Sequence, residues 1–344
     1  MKSRVKHENE GKKIMSEKSF DAISIGACNV DIIAFASKFP EAEEKISASG
    51  YIPPKSTGVA LDCISQINAL GLKCGHFGKV GNDEYGKIIL KELNADGIDT
   101  SRIVVVSEIM TSKAWIIVNN KTGERCHIMF PTEPAGFITA EDVDKNADYI
   151  TSARLVHMEL LQMPIDGMIK AAELCKESGV KISFDLDIAP KYAYEYKYAT
   201  KEQLMKMIKT TDILKACKNA AIDFCGHYDY EKAAKEMLEL GPQVVIITIG
   251  ENGCIVAYKN SDGKVNSFIS PGFNGEKIKD TTGAGDAFQG GFLYGYLKGW
   301  SLERCAILAN ATGYLKSTKI GARSSTHYDV VEKFLKGYGW ENLK

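Results

Sequence analysis

The stretch DTTGAGDAFQGGFL, residues 280–293, sets three small residues, Gly283, Ala284 and Gly285, directly before a lone acid, Asp286. An apolar pattern at helical spacing follows at once, so a helix is expected to start inside the stretch. Small residues let the backbone approach a ligand closely, and the free N–H groups of a starting helix carry the positive end of its dipole. Such a turn is a site for an anion in which negative charge develops. An acid in the first turn then lies within reach of the same anion, placed to take a proton from an attacking hydroxyl. The same residues also fit a plainer arrangement, a helix start with a capping acid and packing glycines at Gly290 and Gly291. Two familiar phosphate motifs are excluded. G-x-x-x-x-G-K-[ST] is absent, and Phe288 stands where a dinucleotide fingerprint needs its last glycine.

Outward from this stretch the chain alternates strand-like and helix-like segments. FDAISIG (20–26), RLVHM (154–158), KISFDLD (181–187) and QVVIITIG (243–250) read as buried strands. ALDCISQINALG (60–71), DEYGKIILKELNADG (83–97), PIDGMIKAAELCKESG (164–179) and YEKAAKEMLELG (230–241) read as helices closed by glycine. This alternation predicts an α/β fold with a mostly parallel central sheet and helices on both faces. Two regions break the rhythm. Residues 29–52 hold no convincing helix, and KAWIIVNNKTGERCHIMF (113–130) reads as a hairpin around 119–123. They are expected to pair as a small antiparallel β lid, formed by about 29–56 and 112–132, over the sheet's carboxyl edge. With no linker in mid-chain, residues 19–344 are expected to form one domain behind a disordered tail, 1–18; Met15 is a second candidate start.

Composition narrows the function classes. The 344 residues are 44% apolar and 25% charged with a formal net charge of -1, which gives no general attraction to nucleic acid or an anionic membrane. Nine scattered cysteines without a C-x-x-C pair argue for a reducing cytoplasm and against a disulfide framework or a zinc site. No apolar run approaches the roughly 18 residues of a membrane span, and the charged start lacks the apolar core of a secretory signal.

The sequence resembles the ribokinase-like, or PfkB, family of carbohydrate kinases. DTTGAGDAFQGGFL matches that family's C-terminal signature, and LGLKCGHFGKVGNDEYG (70–86) its N-terminal signature region. IGACNVDIIAFASKFPEAEEK (25–45), ITIGENGCIV (247–256) and ANATGYLKSTKIGA (309–322) extend the match over nearly the whole chain after the tail. The resemblance implies ATP-dependent phosphorylation, with Mg²⁺, of a hydroxymethyl group on a neutral sugar or sugar-like compound. Asp286 would be the base and Gly283, Ala284 and Gly285 the anion hole. It further implies substrate contacts from Asp31, Gly58 and Asp62, and nucleotide contacts from Thr248, Gly250, Gly253 and Asn310. A monovalent cation, K⁺, would sit at Asp280, Thr282, Gly321 and Ser325, and a homodimer would form through the lid.

The chain departs from the family at two places. In STGVALD (56–62), Thr57 replaces a glycine and Asp62 an asparagine. The threonine is expected to crowd the sugar, and the second acid to repel a charged substrate. In DILKACKNAAIDF (212–224), Cys217 and Ala220 replace the Asn and Glu of an N-x-x-E motif that organises metal and phosphates. Two alternatives follow. One is a nucleoside kinase, with Trp115 of the lid contacting a base; the other is a catalytically weak relative that binds a ligand.

Overall fold

Residues 18–122, 124–160 and 162–340 are described by the structure, a computed structural model. The expected tail, Lys18 apart, and Gly123 of the expected hairpin turn lie outside the described residues. In chain order the strands are β1 (Phe20–Ile25), β2 (Asn29–Ala36), β3 (Gly50–Thr57), β4 (Cys74–Gly81), β5 (Asp99–Val106), β6 (Ser112–Asn119) and β7 (Arg125–Phe130). They continue as β8 (Ala153–Glu159), β9 (Lys181–Leu186), β10 (Ile213–Cys217), β11 (Val244–Thr248), β12 (Cys254–Lys259) and β13 (Val265–Ser270). The main sheet runs β13-β12-β11-β10-β9-β8-β1-β4-β5, parallel from β11 to β5, with β12 and β13 added antiparallel at one edge.

Strand β11 shows why this sheet is covered on both sides. Its residues VVIIT are β-branched throughout; Val245 and Ile247 enter one core while Val244 and Ile246 enter the other. The first core packs the sheet against helices Asp166–Glu177, Lys201–Thr210 and Tyr230–Glu239 through Met168, Leu204 and Met237. The second packs it against Val59–Ala69, Ala284–Leu297 and Leu302–Ser317 through Ile64, Phe292 and Leu308. The four helices expected at 60–71, 83–97, 164–179 and 230–241 are found at Val59–Ala69, Glu84–Ala95, Asp166–Glu177 and Tyr230–Glu239. Thr200 and Gln203 close a capping box at the start of Lys201–Thr210.

The chain adds β4 and β5 on one side of β1, then returns to build β8 to β11 on the other. The order therefore reverses between β1 and β8, and a crevice at the carboxyl ends of those strands is where such sheets bind ligands. Glu159 ends β8 at this point, and Asp187 follows β9.

The small sheet has the order β3-β2-β6-β7. Its outer pairings, β2 with β3 and β6 with β7, are antiparallel as expected, whereas the central β2–β6 pairing is parallel. Only neighbours joined by a short turn must run antiparallel, and β2 reaches β6 through β3, β4 and β5. A register shift between Asp31 and Ile33 interrupts the β2–β3 ladder, and such bulges re-aim side chains. Among the described residues no helix is long and apolar enough to cross a membrane.

Candidate active site

The helix Ala284–Leu297 begins at Gly283, whose φ of 77° and ψ of 2° lie in the left-handed region. A Cβ there would meet the Ala322 carbonyl oxygen at 2.4 Å, so the position admits only glycine. Among the described residues no side chain caps this helix. Gly283, Gly285 and Asp286 at its start line a cavity of about 340 Å³, whereas Ala284 does not and its N–H donates to the Thr281 carbonyl at 3.1 Å. The packing role of Gly290 and Gly291 is real as well. Added Cβ atoms would strike Gln66 and Thr312 of the flanking helices. The two readings of the glycine-rich stretch thus apply to different glycines.

The cavity brings together Asp286, Gly283 and Gly285 with Asp31, Gly58 and Asp62, although these come from opposite ends of the chain. Gly58 opens a second uncapped helix, Val59–Ala69, toward the same space. Glu159 and Asp187 line it too, and Ala114, Ile116 and Met129 of the small sheet form an apolar wall. Among the described residues no Lys or Arg lines it. Trp115 is absent from the wall as well: it alternates with Ala114 and Ile116, half exposed, packed edge-on against Phe130. Its expected contact with a base is therefore not made from this face.

Thr57 lines the cavity. Its hydroxyl donates to Asp62 Oδ2 at 2.7 Å, so the two departures from the family form one pair, while Asp62 Oδ1 is left buried without a partner. Burial pushes the Asp62 carboxyl up against the pull of Thr57 and Arg323. Asp31 rises to about 6 through burial first and then the Asp280 charge, with Lys316 opposing.

Asp185, Asp187 and Asp286 each offer an oxygen within 4.8 Å of the others. Lys215, itself fully buried, donates to Asp185 Oδ2 at 2.8 Å and lies 3.7 Å from Asp187 Oδ1. Burial works to discharge this ammonium, but the three carboxylates outweigh it and keep the proton on Lys215. One cation cannot neutralise three acids. Asp286 is accordingly raised well above the usual carboxylate range, by burial first and by Asp187 next, against Lys215. Asp185 rises to about 7, chiefly by burial, and its Oδ1 is buried without a partner. Three carboxylates, one ammonium and an orphaned oxygen fit a divalent cation such as Mg²⁺, a hard ion that takes oxygen ligands. Cys217 caps the helix Lys218–Cys225, its sulfur accepting the Ala220 N–H at 3.4 Å.

Sequence reading missed this cluster. FDLD was read only as a strand and DILK only as the frame of a lost motif, because neither carries glycine or a spacing that marks chemistry. Their proximity arises from register: Lys215 lies opposite Asp185 on adjacent strands.

Each residue assigned to K⁺ already has an oxygen engaged by a neighbouring group. Lys316 Nζ donates to the Asp280 carbonyl at 2.9 Å, and Arg125 donates to Asp280 Oδ1 and Thr282 Oγ1. Ser324 Oγ donates to the Gly321 carbonyl at 2.8 Å, and Lys319 Nζ to the Ser325 carbonyl at 3.1 Å. Burial would raise Asp280, but Lys316 and the N–H groups of Thr282 and Gly321 bring its carboxyl below the usual range.

Thr248, Gly250, Gly253 and Asn310 are not part of the cavity. They share a separate patch where β11 meets β12 and β13. Thr248 pairs with Cys254, and a Cβ on Gly253 would lie 2.1 Å from the Ser270 carbonyl. Asn310 is buried, and its Nδ2 donates to Ser270 Oγ at 3.0 Å and to the Pro271 carbonyl at 3.1 Å. Its amide thus pins the chain after β13.

A family model for pfkB family carbohydrate kinases matches residues 20–328. An uncharacterized sugar kinase of Archaeoglobus fulgidus is 31% identical over 260 residues, covering 75% of this chain and 96% of its own. Mouse ribokinase is 28% identical, over 92% of this chain and 95% of its own. Among solved structures, a putative ribokinase II from E. coli in complex with ATP and Mg²⁺ superposes with a TM-score of 0.79. It shares 26% identity, over 92% of this chain and 99% of its own.

Proposed function

The chain belongs to the pfkB family of carbohydrate kinases, and from that premise we propose that it transfers the γ-phosphoryl group of ATP to a hydroxymethyl group of a neutral sugar or sugar-like compound. One observation carries the reading: the buried Asp286 and the uncapped helix start at Gly283 share a cavity with Asp31 and Asp62, and no Lys or Arg lines it.

Asp31 and Asp62 accept hydrogen bonds from sugar hydroxyls and hold the hydroxymethyl oxygen against Asp286. Asp286 takes the hydroxyl proton as that oxygen bonds to the γ-phosphorus, and the bond from phosphorus to the β,γ-bridging oxygen breaks to release ADP. The N–H groups of Gly283 and Gly285 stabilise the charge on the transferring phosphoryl oxygens, while that of Ala284 holds the turn through the Thr281 carbonyl. Asp185 and Asp187 would hold Mg²⁺, their carboxylates standing in for the acid missing at Ala220, and the bound ion would neutralise charge on the phosphates. The patch of Thr248, Gly250, Gly253 and Asn310 takes the nucleotide. Trp115 and Ile128 leave the lid's outer face apolar and exposed, which supports pairing of two copies through the lid.

ADP release measured across neutral sugars, nucleosides and sugar phosphates tests this. Turnover is expected for a neutral polyol. Robust turnover of a sugar phosphate would overturn the reading, since five acids and no Lys or Arg line the cavity. ATP binding without turnover of any acceptor would leave the ligand-binding alternative.

Asp31→Ala is expected to raise the acceptor KM by roughly 10- to 100-fold, because a hydrogen bond to a charged group contributes about 1.5–3 kcal/mol. The KM for ATP should stay near that of the wild type. Initial rates with each substrate varied in turn decide it, and an unchanged acceptor KM removes Asp31 from the sugar site.

A further inference from the structure

We propose that the ammonium of Lys316 is a built-in counter-ion for the 280–283 turn, standing where a K⁺ ion was expected, so that this protein orders its anion hole without a monovalent cation. The proposal rests on the reading of Gly283 to Gly285, which this turn leads into, as the anion hole.

Lys316 projects from the helix Leu302–Ser317 and its side chain is fully buried. It donates to the Asp280 carbonyl at 2.9 Å and lies 3.9 Å from Asp280 Oδ2. The same carboxylate accepts the N–H groups of Thr282 and Gly321, each at 2.9 Å, and so ties the turn to the loop at 321. A charge on Lys316 therefore acts at the junction of the two segments a cation would join. Arg125 adds a second cation from the other side: it contacts Asp280 and Thr282 and donates to Thr281 Oγ1 at 2.9 Å. Lys319 holds Ser325 and Thr326.

A free cation entering here would meet like charges in a partly buried space, where repulsion is poorly screened. Arg125 belongs to the small sheet and departs if that sheet lifts, whereas Lys316 belongs to the main body and stays. Lys316 is thus the constant charge. It acts as a positioning residue, touching the turn through Asp280 without lining the cavity that holds Asp286.

The test compares KCl with tetramethylammonium chloride at equal ionic strength, on the full chain. Two measurements need no acceptor: the melting temperature, and binding of Tl⁺ as a K⁺ surrogate by ²⁰⁵Tl NMR, the latter in nitrate salts because TlCl is sparingly soluble. Turnover is a third. The wild type should melt at the same temperature in both salts, bind no Tl⁺ and turn over equally. Lys316→Ala leaves the Asp280 carbonyl without its donor and opens space beside it. It should lose about 10–100-fold in turnover, as for loss of a group that supports a charged site, and regain stability and turnover in KCl. Lys316→Met fills that space without charge and should lose turnover with no response to K⁺. K⁺-specific stabilisation or Tl⁺ binding by the wild type would overturn the proposal, as would a Lys316→Ala variant indifferent to K⁺. Should the kinase reading itself fail, no acceptor would be turned over, while the melting and Tl⁺ results would still decide the cation question.

Discussion

Asp286→Asn should fold, bind ATP and lose roughly 10²–10⁴ of turnover, the usual range for removing a positioned base. The substitution keeps the shape of the side chain inside the first turn of a helix that no side chain caps, so the turn itself should stand. Two accompanying signs separate loss of a base from loss of structure. In the wild type, burial and Asp187 hold the Asp286 proton well above the usual range, so turnover should rise with pH above the ordinary carboxylate range as the base ionises. The variant's residual rate should lack that rise. Stability moves the opposite way. A carboxyl whose pKa is higher folded than unfolded binds its proton more tightly in the fold, so its contribution to stability falls as pH rises toward the folded value. Asn carries no such cost. The variant should therefore melt above the wild type at pH 8, with the difference shrinking toward pH 4. Rates by coupled ADP release and melting curves across pH check both, and near-full kcat in the variant would remove Asp286 from the chemistry.

Gly283→Val should cost about 10²–10³ in kcat, as for removal of a donor from an oxyanion hole, with ATP affinity little changed. At Gly283 the left-handed backbone acts together with the Ala322 carbonyl, which would lie 2.4 Å from an added Cβ. The turn must then move away from the loop at 322 and re-aim its N–H groups. Some stability is lost as well. Gly299→Ala supplies the control: it has a similar φ of 75°, lies beyond the other end of the same helix and has nothing within 4 Å of an added Cβ. It should lose stability through backbone strain alone and keep kcat. If both variants lose turnover in proportion to stability, the turn at Gly283 is structural only.

Much of the architecture was legible because it rests on local periodicity. Val244–Thr248 reads as a doubly buried strand from its composition, and the break in rhythm at 29–52 and 113–130 marked the small sheet. Strand β5 was not legible. Its DTSRIVVV lies at the sheet edge with Val104 and Val105 exposed, so it shows neither alternation nor a buried run. The parallel β2–β6 pairing was equally hidden, since direction follows from the path of the chain between two strands and not from their residues.

By itself the sequence determined that a glycine-rich turn precedes Asp286 at a helix start, and that the chain builds a mostly parallel sheet to present it. Both are properties of residues within a few positions of one another, where backbone sterics and hydrophobic spacing act. Only the tertiary structure decided which charges surround that turn. Arg125 reaches Asp280 across 155 residues, Lys316 reaches it across 36, and Lys215 meets Asp185 across 30 by strand register. Electrostatic energy depends on distance in space and on burial, and a linear pattern encodes neither. For that reason the motif announced a cation site, and the fold filled it with side chains of its own.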